Sequence, residues 1–514
     1  MVYESGVRSR SNCSVSVTKD QPSVLLVGSE AQPFAKSGGL ADVLGSLPPA
    51  LARLGWDVTV ALPKYRGINA GALVDRFPIV IGGAAYDVGF FDAPMADGAR
   101  ALLIECPELY ERDALYGPNN TEYPDNPRRF AMLARAALEY AVRRAPGSSS
   151  RGPAIVHAHD WQAGLVPVYL NTRYAAHPAI GGTPTVLTIH NLAYQGNFDA
   201  GWLPRVNLGW DQFTVTRLEF WGRVSFLKGG INHADLITTV SPRYAEEIQR
   251  PDGGFGFDGI IRARRDRLVG ILNGIDTHEW DSAHDPFLPA PFSARDLSGK
   301  SASKIEVLQQ YGLPTDAAAR TRPLIGMVSR MVEQKGLDLI AALASDLARL
   351  DAFFAVLGSG DPFYERFWTD LAEAHPQRVG VRIGFDESLA HLIEGGADMF
   401  LMPSRYEPCG LNQMYSLRYG TVPIVRAVGG LADTVRDYAP GVRNATGFVF
   451  RDYSSSALLD AIKRALRLFE DRPRWRALQL AGMAEDHSWD RSAAEYVKIY
   501  DRALGRKLIG GSVR

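Results

Sequence analysis

Cysteine is scarce in this chain: Cys13, Cys106 and Cys409 are its three thiols in 514 residues, and they lie far apart. So odd and scattered a set makes neither a disulfide framework nor a zinc site, and it fits a reducing compartment. Net charge is nearly absent, with 56 Lys and Arg against 57 Asp and Glu. That balance offers a nucleic acid or a membrane surface no general attraction, and neither is expected as a partner. No apolar run approaches the ~20 residues that cross a bilayer. Residues 1–22, "MVYESGVRSRSNCSVSVTKDQP", lack the apolar segment of a signal peptide and read as a disordered leader. There is no HExxH, no His-rich ligand spacing and no DxD in a suitable context, so neither a catalytic metal nor a cofactor is expected.

What is present is core. Hydrophobic residues make up 46% and charged residues 22%, the balance of a globular protein, and 514 residues exceed one ordinary domain. Short apolar runs alternate with helical segments: "SVLLVGSE" (23–30), "DVTVALP" (57–63), "AIVHAHD" (154–160), "TPTVLTIHN" (183–191), "DLITTVS" (235–241) and "LVGILNG" (268–274). A second set follows: "PLIGMVSR" (323–330), "FFAVLGSGD" (353–361), "DMFLMPSR" (398–405) and "VPIVRAV" (422–428). Runs of this length between turn signals read as buried parallel strands of α/β units. The expected organisation is two doubly wound halves, 23–274 and 301–486, joined by a Pro-, Asp- and Ser-rich linker at 275–300. Pro48 and Pro49 predict a kink or break in the first helix.

Ligands of open parallel sheets bind beyond the carboxyl ends of the strands, and there this sequence places its polar residues. "AKSGGLADV" (35–43) follows the first strand. It is neither a Walker A loop nor GxGxxG, yet Gly38 and Gly39 would let backbone N–H groups approach a phosphate. Lys36 would add a full charge, and Asp42 would cap the helix or bind a sugar hydroxyl. The motif GGLAD returns at 429–433 without a basic residue just before it, where a packing turn explains it equally well. "SRMVEQKG" (329–336) offers Arg330 and Lys335 to one diphosphate, if the loop turns back. "PSRYEPCGLNQM" (403–414) sets Glu407 in a loop before a helix beginning near Gly410 and Leu411. That carboxylate suits sugar hydroxyls or caps the helix dipole. Cys409 reads as a buried or site-lining thiol rather than a nucleophile. His190 and Asn191 end one strand, and Asp160 with Trp161 ends its neighbour. Trp161 would stack on a sugar ring or fill an interface.

Taken in order, "KSGGLADV", "HAHDWQAG", "TIHNLAYQG", "TTVSPRYAEEI", "ILNGID", "SRMVEQKG", "LGSGD", "EPCGLNQM" and "VGGLADTV" with "TGFVF" resemble the glycogen and starch synthases over about residues 23–505. The resemblance implies a GT-B fold, two Rossmann-like domains facing a deep cleft. The N-terminal one (23–274) would take the acceptor and the C-terminal one (301–486) the nucleotide sugar. A helix at 487–505 would cross back to the first domain, leaving a tail at 506–514. It implies ADP-glucose as donor, ADP as product and glycogen, an α-1,4-glucan, as acceptor.

On that reading Lys36, Gly38, Gly39, Arg330 and Lys335 hold the diphosphate. Glu407 binds the glucosyl hydroxyls, and Gly410 with Leu411 presents N–H groups to the distal phosphate. His190 and Asn191 lie against the transferred glucose, with Asp160 and Asn273 close by. The glucosyl configuration would be retained by same-face attack, the departing phosphate taking the acceptor proton, with Glu407 as nucleophile in a covalent alternative. Phe385 stands where the family often has Tyr, at a position associated with stacking on adenine; it keeps the ring and loses the hydroxyl. The absence of a long transit segment favours a bacterial cytoplasmic enzyme over a plastid one. The alternatives are a UDP-glucose-using or small-acceptor transferase and a non-catalytic glucan-binding protein of the same fold. An NAD-dependent oxidoreductase is disfavoured, because neither half carries GxGxxG with an acidic residue about 20 positions on.

Overall fold

The computed structural model describes residues 21–69, 71–118, 121–144 and 152–510; the expected leader, but for residues 21 and 22, and the last residues of the tail lie outside them. The first half contributes β1 (Ser23–Val27), β2 (Asp57–Pro63), β3 (Ala72–Ile81), β4 (Ala84–Pro94), β5 (Arg100–Glu105), β6 (Ile155–His159) and β7 (Thr185–Ile189). It continues with β8 (Asn197–Phe198), β9 (Glu219–Phe220), β10 (Arg223–Ser225), β11 (Leu236–Thr239) and β12 (Leu268–Gly270). Among the described residues, nine of these form one sheet in the order β12-β11-β7-β6-β1-β2-β5-β4-β3. The strands from β12 to β5 run parallel, while β4 and β3 close the edge as an antiparallel hairpin. β8, β10 and β9 make a small antiparallel sheet.

The second half holds β13 (Leu324–Val328), β14 (Phe353–Gly358), β15 (Val379–Ile383), β16 (Met399–Met402), β17 (Val422–Arg426) and β18 (Phe448–Phe450). They pair in parallel in the order β15-β14-β13-β16-β17-β18. The two sheets, helices on their faces, form the two Rossmann-like halves of an α/β GT-B architecture. β6, β7, β11, β14 and β16 are buried at every residue, which is why they read as largely apolar runs with no polar alternation. The β3–β4 hairpin escaped such a reading because it alternates: β3 exposes one face and buries the other.

The first helix corrects an expectation. It runs from Gly39 to Arg53 without a break, with Pro48 and Pro49 inside it. An interior proline costs about 3 kcal/mol or more. Here Leu40, Leu44, Leu47 and Leu51 are buried in one core with Trp489, Tyr496 and Tyr500 of the last helix, and this packing outweighs that cost. The last helix, Trp489–Gly510, thus belongs by contact to the first half, and Tyr500 meets Trp56 edge-on at 5.0 Å.

Segment 275–300 is irregular until a helix begins at Ser298, but it is packed. Trp280 stacks on Tyr415 at 3.7 Å, and Ile275 bridges to Ser488.

Candidate active site

The loop after β1 is held from behind. Glu30 is 3% exposed and accepts a hydrogen bond from Ser37 Oγ at 2.8 Å. It also accepts from the Ser37 backbone N–H and the Tyr116 hydroxyl. Thus fixed, the loop delivers Gly38 as the N-cap of Gly39–Arg53, with φ −165°, extended backbone open to any residue, and with no side-chain cap. A Cβ at Gly38 would meet nothing within 4 Å, and one at Gly39 would touch only Leu411 Cδ1 at 4.0 Å. Neither torsion nor packing therefore demands glycine here, and the tight-turn explanation fails. What remains is an uncapped N-terminus of a 15-residue helix, open in front and facing Leu411 of the other half. Lys36 Nζ reaches Asp42 Oδ1 at 2.7 Å. Burial raises the Asp42 carboxyl above its ordinary range, with Lys36 opposing the rise.

The second GGLAD has the opposite character. Gly429 has φ +41°, and a Cβ there would sit 1.9 Å from the Glu407 carbonyl oxygen; at Gly430 it would sit 2.0 Å from that of Cys409. Its N–H groups are already taken. Gly429 donates to the Glu247 carboxylate of the first half at 3.1 and 3.2 Å, and Gly430 to the Glu407 carbonyl at 3.2 Å. Asp433 accepts from the Arg243 backbone at 2.9 Å. This pair is a packing turn that supports the Glu407 loop and touches the first half.

Glu407 is 5% exposed and accepts from Lys335 Nζ at 2.6 Å and from Ser404 Oγ at 3.0 Å. Lys335 ends the turn Glu333–Lys335, which closes on Gly336 at φ +74°. Arg330 donates instead to Gln334 Oε1, at 3.2 Å. Gly410 has φ +71°, and the helix begins two residues later, as Asn412–Arg418 with Leu411 as N-cap. Cys409 is buried and its thiol is pushed up to about 12 by desolvation, against a backbone hydrogen bond from Asn273. It is inert. Asn273 is 6% exposed, and its Oδ1 has no partner. Phe385 is 78% exposed, with its ring free.

At the ends of β6 and β7 three histidine rings line up. His157 lies 4.1 Å from His159, and His159 lies 5.3 Å from His190, centroid to centroid. His157 bonds Thr188 Oγ1 at 2.6 Å and the Tyr500 hydroxyl at 2.8 Å. His159 Nδ1 and His190 Nε2 are 3.0 Å apart. Burial depresses all three, His157 and His190 to about 3 and His159 well below its ordinary value. At neutral pH they are uncharged, so a single proton bridges His159 and His190. Asp160, at φ +56°, accepts from the His190 backbone N–H at 2.7 Å. Desolvation nevertheless raises it to about 7, outweighing the N–H groups of His190 and Asn191.

Trp161 requires a correction. It is 4% exposed and wedged between Phe130 at 5.0 Å and Phe198 at 5.6 Å. A ring enclosed in this way has no face for a sugar; it is a core residue. Conversely, Ser37 and Tyr116 support the site without having been singled out for it, while Glu30, His159 and Ser404 read from the sequence only as polar residues at strand ends, without a role. Glu30 and His159 stand at strand ends, a usable signal. Tyr116 lies 86 residues from Glu30, and nothing local announces it.

Residues 23–263 match the family described as the starch synthase catalytic domain, and residues 315–477 match glycosyl transferases group 1. A glycogen synthase of Koribacter versatilis is 47% identical over 484 residues, 93% of this chain and 98% of the relative. One of Anaeromyxobacter dehalogenans is 49% identical over 481 residues, again 93% and 98%. The catalytic domain of starch synthase IV from Arabidopsis thaliana, solved with ADP and acarbose, superposes with a TM-score of 0.84 at 33% identity, covering 94% of this chain and 99% of that one. A sucrose-phosphate synthase from Thermosynechococcus elongatus, at 19% identity and a TM-score of 0.59 over 95% of this chain and all of that one, shares the fold. No helix among the described residues is long and apolar enough to cross a membrane. Fold, motif order and relatives agree: the chain belongs to the glycogen and starch synthase family of GT-B glycosyltransferases.

Proposed function

We propose that this enzyme is a glycogen synthase that transfers glucose from ADP-glucose to the non-reducing 4-hydroxyl of an α-1,4-glucan, retaining the α-configuration and releasing ADP in the cytoplasm. The observation that carries the reading is the open Gly38–Gly39 helix N-terminus beside Lys36, set against Leu411 next to the Lys335–Glu407 pair. Phosphate is favoured where uncapped N–H groups meet a cation, and a carboxylate nearby suits sugar hydroxyls. Gly38, Gly39 and Lys36 bind the diphosphate from the first half, and Arg330 and Lys335 bind it from the second. Gly410 and Leu411 offer backbone N–H groups to the distal phosphate. Glu407 holds the glucosyl hydroxyls, and Phe385 stacks on adenine. The starch synthase IV structure, solved with ADP and acarbose, supports binding of both a nucleotide-sugar donor and a glucan acceptor.

The chemistry follows from charge. As the glycosidic bond to phosphate lengthens, negative charge grows on the diphosphate, where Arg330 and Lys335 stabilise it. The sugar becomes oxocarbenium-like, beside neutral His190 and the Asp160 and Asn191 groups that position it. Glu407, engaged by Lys335 and Ser404, serves as a sugar ligand. The acceptor hydroxyl attacks from the face the phosphate leaves, and the phosphate takes its proton.

The test is incorporation of labelled glucose into glycogen from ADP-glucose and UDP-glucose in parallel, with Glu407→Ala as control. Incorporation from ADP-glucose that collapses in the variant is expected. Incorporation mainly from UDP-glucose would overturn the donor, and none from either would overturn the activity.

A further inference from the structure

Apart from the donor residues, three side chains from two stretches of chain converge. One ring nitrogen of His391 and one carboxylate oxygen each from Glu279 and Glu387 lie within 4.8 Å of one another. Glu387 and His391 belong to the helix Glu387–Gly396, four residues apart and so on one face. Glu279 comes from the segment joining the two halves. Its neighbour Trp280 stacks flat on the His391 imidazole at 3.8 Å and 13°.

His391 is the informative member. It is 1% exposed; its Nδ1 donates to Asp285 Oδ2 at 2.8 Å, and its Nε2 has no partner. Asp285 is itself held by the Tyr419 hydroxyl at 2.6 Å. A carboxylate on one ring nitrogen fixes the tautomer and leaves a lone pair on the other, the arrangement behind metal-ligating histidines.

We propose that Glu279, Glu387 and His391 bind a divalent transition-metal cation of the zinc type, with Asp285 as the positioning carboxylate. One imidazole and two carboxylates make a three-ligand set that suits zinc, with water completing a tetrahedron. Ligand atoms around such an ion sit about 3.4 Å apart, so the carboxylates draw in by roughly an ångström while Trp280 and Asp285 hold the histidine still. None of the three groups has a part in the glucosyl transfer proposed above. The ion pins the joining segment to the second half, a structural role independent of the sugar chemistry.

The test uses the full chain, stripped with a chelator and titrated calorimetrically with zinc alone, and with magnesium alone. One zinc per chain is expected, with a rise in melting temperature. Glu279→Gln and Glu387→Gln should each weaken binding at least 10-fold while leaving the melting temperature of the metal-free chain unchanged. No zinc uptake would overturn the proposal, as would unchanged affinity in the double variant, which would put the ion elsewhere. Magnesium binding as tightly as zinc would overturn the assigned metal class.

Discussion

Lys335 Nζ lies 2.6 Å from Glu407 Oε2, joining the loops that follow β13 and β16 across 72 residues of sequence. The cation proposed for the diphosphate and the carboxylate proposed for the glucose are thus one ion pair, with side chains 18% and 7% exposed. Removing one partner leaves the other buried without its countercharge. Lys335→Ala should lower kcat by about 100-fold or more and also lower the melting temperature. Arg330→Ala, which gives up the 3.2 Å bond to Gln334, should lower kcat comparably and leave the melting temperature in place. Parallel rate and melting measurements on the two variants check the contrast.

The two GGLAD motifs should respond oppositely to a methyl group. Gly38→Ala has open space and an extended φ, so its melting temperature should stay close to that of the parent while the KM for donor rises. Gly429→Ala would drive a Cβ to 1.9 Å from the Glu407 carbonyl at φ +41° and should cost about 2 kcal/mol or more of stability. Thermal melts together with donor kinetics separate them.

The buried histidines set an acid limit. His157 and His190 fall from 6.5 to about 3 and His159 falls well below 6.5, so the unfolded chain binds protons that the fold refuses. Their contribution to stability is complete above about pH 6.5 and is lost progressively as pH falls towards 3. Asp160, raised from 3.8 to about 7, works in the opposite direction over pH 4–7, as one group against three. The melting temperature should therefore fall from pH 7 to pH 4.5, and His157→Gln should flatten that slope. A slope unchanged in the variant would remove His157 from the account.

Phe385, at 78% exposure, contributes little to folding. Phe385→Ala should leave the melt unchanged and weaken ADP binding by the ~1–3 kcal/mol that base stacking is worth, whereas Phe385→Tyr should retain it. Calorimetry with ADP on both variants reads this directly.

The sequence by itself determined the two α/β halves and most of the strand-end polar residues. Buried parallel strands are mostly apolar and polar groups end them, so β1, β6, β7, β13 and β16 were legible from local pattern, as were Lys36, His190, Arg330 and Glu407 as polar residues in the segments that follow strands. Tertiary structure decided what depends on distant partners. Whether Gly38 is open and Gly429 is crowded turns on the Glu407 carbonyl, which abuts only the second. Trp161 could stack or fill until Phe130 and Phe198 closed around it. Pro48 and Pro49 should have broken a helix that packing against Tyr496 and Tyr500 keeps whole. Torsional preference is local and can be read along the chain; burial and countercharge are sums over neighbours that only the folded chain brings together.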